Sequence, residues 1–148
     1  METSTTFISR LELRRIASEL PNTQIKSSLD AFNFCRSFYF EDVSIFESSF
    51  ILLLNNANQT IAYAKISQGG ITGTVVDPRL IAHYAVNSLA TGVILCHNHP
   101  SGTLRPSESD ILLTKKVKAG LELLDIKLIE HLIITEFAYY SFSDEGTL

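Results

Sequence analysis

The stretch VILCHNHPSGTLRPSESD, residues 93–110, constrains the fold more than any other part of this chain. GVILC is a short β-branched and apolar run, consistent with a buried strand. Side chains two apart on extended backbone share a face, so His97 and His99 emerge together at the strand's end while Cys96 and Asn98 point the other way. Pro100, Ser101 and Gly102 then turn the chain. Ser107, Glu108, Ser109 and Asp110 spell S-x-x-D ahead of an apolar run, a helix start with Ser107 as the cap and Asp110 in the first turn. A chain that leaves a strand, crosses a loop of this length and re-enters at a helix start can bring that aspartate back over the strand's end. His97, His99 and Asp110 could then share one ion.

The remaining punctuation is local, with no repeat, low-complexity tract or long linker. Ser9 to Leu20 reads as a short helix stopped by Pro21 and Asn22, an N-terminal helical extension over residues 1–27. A second helix is expected from Ser28 to about Phe40, capped by Ser27 or Ser28, with Leu29, Phe32, Cys35 or Arg36 and then Tyr39 at the 3-to-4 step. FILLLN and IAYAKIS, separated by Asn55, Asn56 and Asn58, look like strand, turn and strand. ITGTVVDPR reads as loop and short strand, after which Asp77 and Pro78 open a helix that runs through LIAHYAVNSLA to near Gly92. Ser107 to about Leu124 is the best helix, with Leu113, Val117, Gly120 and Leu124 on one stripe, and IKLIEHLIIT and AYYSFS give two more strands. Helices alternate with strands and some strands are adjacent, so the fold class is a mixed α/β or α+β sheet with helices on its faces, a single domain over residues 28–148.

Composition bounds the function. At 148 residues, 45% of them hydrophobic and 19% charged, the chain has room for one real core and no second full domain. No apolar run approaches the roughly 18 residues needed to span a bilayer. The N-terminus METSTTFISRLELRR lacks the apolar region of a signal peptide, so a soluble, cytoplasmic protein is expected, with no membrane partner. Cys35 and Cys96 sit in apolar segments without disulfide or CxxC spacing and read as buried thiols. A formal charge of -4 argues against a protein that grips phosphate backbones. The one basic cluster, Lys115, Lys116 and Lys118, reads as a solvated helix face.

Two imidazoles and one carboxylate are the ligand set of a catalytic zinc, which keeps its fourth position for water, whereas a structural zinc is usually closed by thiolates. Cys96 is badly aimed for that and Cys35 is far away in sequence. Such an ion lowers the pKa of water from about 15.7 toward roughly 7 and polarises a carbonyl. The remaining requirement is a carboxylate to take the water's proton, and Glu41, Asp42 and Glu47 are all candidates on physical grounds. His97-Asn98-His99 spells HNH, but the nuclease motif of that name is spread over a long ββα element; the zinc deaminase pattern, H-x-E with a later P-C-x-x-C, is absent.

HNHPSGTLRPSESD resembles the JAMM signature of the MPN/JAB metalloproteases, with every spacing kept. The longer pattern, VDPR before a helix, then VILCHNHPSG, PSESD and EHLII, looks specifically like RadC proteins over roughly residues 28 to 143. The resemblance implies a mixed sheet flanked by helices, related to the cytidine deaminase fold. It implies zinc as cofactor with His97, His99 and Asp110 as ligands. Glu47 in FESSFILLLN matches the family's general base, and Ser107 the motif serine that holds the water or donates to the oxyanion. The implied function is hydrolysis of a peptide or isopeptide bond, with a protein or peptide substrate. The alternatives are a low-turnover RadC-like accessory or binding protein in DNA repair or mobile-element function, or a metal-dependent nuclease.

Three features depart from the RadC pattern. The segment before Ser28 is too short for the helix-hairpin-helix domain associated with DNA binding and lacks its glycine hairpin. Ser49 stands where RadC-like chains tend to have an aromatic residue, a change that loosens packing behind Glu47. Glu130-His131 stands where they usually show Asp-His, and reads as a structural pair or one supporting the ligands.

Overall fold

The computed structural model describes residues 8–39, 42–69 and 75–148. Its elements in chain order are α1 (Ser28–Cys35) with a 3-10 turn over Arg36–Phe38, β1 (Ser48–Leu54), β2 (Thr60–Gln68), α2 (Pro78–Asn87), β3 (Gly92–Asn98), α3 (Glu108–Glu122), β4 (Lys127–Ile134) and β5 (Tyr139–Ser141). The five strands form one mixed sheet in the order β2-β1-β3-β4-β5. β3 lies at its centre, antiparallel to β1 and parallel to β4. A parallel pair needs a crossover, and α3 supplies it.

Both faces of the central strands are covered. Phe50, Leu52, Leu54, Ile94 and Cys96 pack with Phe32, Cys35 and Phe38 from α1 and its extension. Ile51, Leu53, Val93 and Leu95 pack on the other face with Ile81 and Ala85 of α2 and Val117 and Leu121 of α3. Burial on both faces is why β1 and β3 read as unbroken apolar runs rather than alternating ones. Both cysteines are free and buried, as expected. Among the described residues no helix is long and apolar enough to cross a membrane.

The helix expected over Ser9–Leu20 does not form: residues 8–18 carry no regular structure. Ile8, Leu11 and Ile16 are about nine-tenths exposed or more, so no apolar stripe meets a partner, and a segment this short is marginal as an isolated helix. The segment instead reaches the edge of the sheet further on, where Thr23 and Ile25 hydrogen bond with Thr60 and Asn58. α2 ends at Asn87, short of Gly92, because Leu89 turns into the left-handed region with φ 59°. α3 buries Asp110, Thr114, Val117 and Leu121, while Gly120 is exposed and Leu124 lies past the helix end. Its buried stripe is therefore rotated from the expected Leu113-Val117-Gly120-Leu124 line toward two polar residues. That rotation sets up the site.

Ile94 is fully buried in the α1-side core. Ile94→Ala leaves a cavity in the central strand and is expected to cost about 2–5 kcal/mol, read as a lowered urea midpoint at unchanged slope.

Candidate metal centre

β3 ends at Asn98, and the His99 amide extends its ladder by donating to the Ile134 carbonyl at 3.0 Å. His97 and His99 therefore still obey the strand's alternation and share the α3 side of the sheet. Their Nε2 atoms stand 3.0 Å apart. α3 starts with a capping box. The Ser107 hydroxyl accepts from the Asp110 amide at 3.1 Å, and Asp110 Oδ2 accepts from the Ser107 amide at 2.7 Å. The box fixes the Asp110 carboxylate over the end of β3, with Oδ1 3.2 Å from His97 Nε2 and Oδ2 3.5 Å from His99 Nε2.

The three side chains each offer one ligand atom within 4.8 Å of one another. Tetrahedral ligation at about 2.0–2.1 Å puts neighbouring donor atoms roughly 3.3 Å apart. The two imidazole nitrogens, 3.0 Å apart, are near that spacing, and the carboxylate meets His97 through Oδ1 at 3.2 Å and His99 through Oδ2 at 3.5 Å. The group can hold a metal ion. Cys96 faces the opposite side, among the α1 core, so its thiol does not close a fourth position.

The electrostatics fit as well. Burial pushes the Asp110 carboxyl up, but the adjoining His97 and His99 rings and the Ser107 amide hold it well below the ordinary carboxylate range. Burial pulls His99 down, yet Asp110, the Thr103 carbonyl and Glu47 leave it raised above its ordinary value. Burial drives the third histidine, His131, well below its ordinary value, assisted by the neighbouring His97.

Glu47 lines the same cavity, about 230 Å³ in volume, with Ser49, Val75, Val76, His97, Ser109, Asp110 and Leu113. Asp42 does not line it, and Glu41 falls outside the described residues. Ser107 is exposed and off that lining; Ser109, which sequence reasoning passed over, is on it and lies 2.9 Å from the Ser107 hydroxyl. The Ser49 hydroxyl is buried without a hydrogen-bond partner. Residues 70–74, on which part of the expected loop and short strand before VDPR falls, are outside the described residues, while Val75 and Val76 reach the cavity. A larger hollow, about 870 Å³ between residues 13–22 and β2, contains none of this chemistry.

Asn98 is the residue whose part was least visible in sequence. It points away from the histidines, as expected, and there its side chain holds the loop that carries Glu47. Its Oδ1 accepts from the Ser48 amide at 2.8 Å, while Nδ2 donates to the Val43 and Phe46 carbonyls at 2.6 and 2.7 Å. The H-x-H tripeptide thus places two imidazoles able to hold an ion on one face and anchors the loop of Glu47 from the other.

Comparisons with known proteins give the chain a family. A family model described as RadC-like JAB domain matches residues 25–147. A UPF0758 protein of Flavobacterium johnsoniae is 49% identical over 142 residues, 94% of this chain and 61% of its own length. UPF0758 proteins of Porphyromonas gingivalis and Streptococcus gordonii are 50% and 43% identical over 103 and 97 residues, 69% and 66% of this chain and 45% and 43% of their own. The chain therefore spans less than two thirds of the length of these relatives.

Two measurements test the geometry. Asn98→Ala strands the Ser48 amide and two carbonyls, so a loss of about 1–3 kcal/mol is expected, with faster amide exchange concentrated at residues 43–48. Because the His99 ring is raised above its ordinary 6.5, protons compete with an ion from above that value downward. Ion affinity is expected to climb with pH through a window just above 6.5 and to level off once the ring is neutral, as read by calorimetric titration across pH.

Proposed function

This chain belongs to the RadC-like JAB domain family, and on that premise we propose that it is a zinc-dependent hydrolase of the JAMM type that cleaves a peptide or isopeptide bond. The observation that carries the reading is the convergence of His97 Nε2, His99 Nε2 and the Asp110 carboxylate on one point, with Glu47 lining the same cavity. Zinc held there supplies Lewis acidity, lowering the pKa of water toward roughly 7 and polarising an amide carbonyl.

The chain's own residues do the rest. Glu47 accepts the proton of the attacking water and passes it to the departing amine. Asn98, through the Val43 and Phe46 carbonyls and the Ser48 amide, keeps that carboxylate in place. The Ser107 oxygen accepts the Asp110 amide hydrogen, and its own hydrogen, which the Ser109 hydroxyl 2.9 Å away also contacts, is the one available to donate to a developing oxyanion at the cavity's edge. Among the described residues lining the cavity there are two carboxylates and no lysine or arginine, which favours a neutral amide over a phosphodiester. The partner on this reading is a protein or peptide substrate.

Elemental analysis of full-length protein purified without added zinc is expected to find close to one ion per chain, lost in His99→Ala and Asp110→Asn. Peptide-library cleavage is expected in the wild type and to fall by roughly 10²–10⁴-fold in Glu47→Gln, with zinc retained. An absence of zinc even after reconstitution overturns the reading. Stoichiometric zinc with no cleavage, or plasmid nicking that survives Glu47→Gln, replaces it with a binding module or a nuclease respectively.

A further inference from the structure

We propose that Thr114 and His131 are positioning residues that decide which ring nitrogen of His97 carries its hydrogen, so that a bare Nε2 lone pair faces Asp110 and His99. The argument is an accounting of hydrogens along one buried chain of contacts. Thr114, on the buried stripe of α3, lies with Oγ1 2.7 Å from the Asp110 carbonyl and 2.6 Å from His131 Nδ1. His131 Nε2 lies 2.9 Å from His97 Nδ1. His97 Nε2 is the atom that meets the cluster.

The hydroxyl has one hydrogen for two contacts, and the Asp110 carbonyl has none to give. At 2.7 Å, two oxygens without a hydrogen between them repel, so the hydroxyl donates to the carbonyl. The 2.6 Å contact must then be filled by a hydrogen on His131 Nδ1. His131 is fully buried and stacked on the Phe142 ring, with centroids 4.5 Å apart and planes 7° from parallel. A ring in that setting is neutral and holds one hydrogen, already placed on Nδ1. Its Nε2 is therefore an acceptor, and the 2.9 Å contact is filled by His97 Nδ1–H. Along the three contacts from the Asp110 carbonyl to His97 Nδ1, only this assignment puts one hydrogen in each; the contacts of His97 Nε2 with His99 Nε2 and Asp110 Oδ1 are left without one, for a cation to fill. It leaves His97 Nε2 unprotonated, the form in which imidazole ligates a metal.

His99 reaches the same state by a shorter route. Its Nδ1 lies 2.7 Å from the Thr103 carbonyl, an acceptor only, so Nδ1 carries the hydrogen and Nε2 is bare. The two rings thus present facing lone pairs, one fixed by a backbone carbonyl and the other by a relay that starts at the backbone carbonyl of the cluster's third member, Asp110. A register shift in the β3–β4 pair makes this possible. Val93 opposes Leu128 but Ile94 opposes Glu130, so β4 gains a residue and His131 lands beside Leu95 on the α3 face.

The test uses full-length, ion-free protein with ¹⁵N-labelled histidine, read by long-range ¹H–¹⁵N correlation at mildly alkaline pH. In the wild type, His131 and His97 are both expected as the Nδ1–H form. Thr114→Val removes the hydroxyl at nearly constant shape, so the His131 hydrogen can move to Nε2 and His97 shifts toward Nε2–H. Thr114→Ser keeps the relay and the wild-type pattern. Zinc affinity, measured by competition with a chromophoric chelator, is expected to fall roughly 10- to 100-fold in Thr114→Val and to be restored in Thr114→Ser.

A wild-type His97 found as Nε2–H overturns the proposal whatever the variants do. So does a Thr114→Val protein with unchanged His97 and zinc affinity within about twofold of wild type, a change well below that loss. Equal losses in the Val and Ser variants with no tautomer change also overturn it, since Thr114 then acts by packing alone. The affinity arm rests on the zinc reading and the tautomer arm does not. Failure of wild type to bind zinc while showing Nδ1–H at His97 therefore counts against that reading only.

Discussion

Because side chains alternate along extended backbone, the residues from Cys96 to His99 are obliged to serve both faces of the sheet in turn. His97 and His99 take the α3 face, and Cys96 and Asn98 take the α1 face. The pairing of β3 with β1 on one side and β4 on the other holds this alternation in register. It brings Ser49 opposite His97 and sets Glu47 at the mouth of β1. A slip of one residue would exchange ligands for anchors and dismantle both halves of the site together. Burial of the apolar β3 residues on both faces is what makes such a slip costly.

Asp110 joins fold and site through a different interaction. As the third residue of α3 it closes a capping box with Ser107, and an anionic carboxylate at a helix start is favoured by the helix's own amides. Its orientation is therefore set by the helix and does not depend on an ion. The histidines are held in the same manner, by the Thr103 carbonyl and by His131. Both rings and the carboxylate are thus each oriented by a further hydrogen bond, through His97 Nδ1, His99 Nδ1 and Asp110 Oδ2, the arrangement that keeps a group able to hold a metal ion rigid.

Much of this was legible in the sequence, for stated physical reasons. The strand at GVILC, the helix start at PSESD and the shared face of His97 and His99 follow from periodicity and capping chemistry, and those elements formed. Periodicity misled where the burial was polar. Thr114 and Asp110 were invisible to an apolar-stripe reading of α3, although they sit four residues apart and form its buried face beside the site. His131 was visible only as half of an acid-histidine pair, because its placement depends on the extra residue in β4. Asn98 was correctly aimed, but its partners lie about fifty residues back in an irregular loop that no local pattern describes. Over Ser9–Leu20 the failure ran the other way, since a helical pattern without a surface to cover gave no helix.

Charge and shape together narrow what such a cavity receives. Glu47 and Asp110 contribute two negative charges, and no lysine or arginine joins them among the described lining residues. A divalent cation would balance that pair and leave no positive excess for a phosphodiester, whose binding draws on clustered basic side chains. Val75, Val76 and Leu113 make the rest of the wall apolar, with Ser49 and Ser109 as small polar breaks. The Ser49 hydroxyl, fully buried and without a partner, leaves a polar group of that wall unpaired, a cost the fold carries beside Glu47.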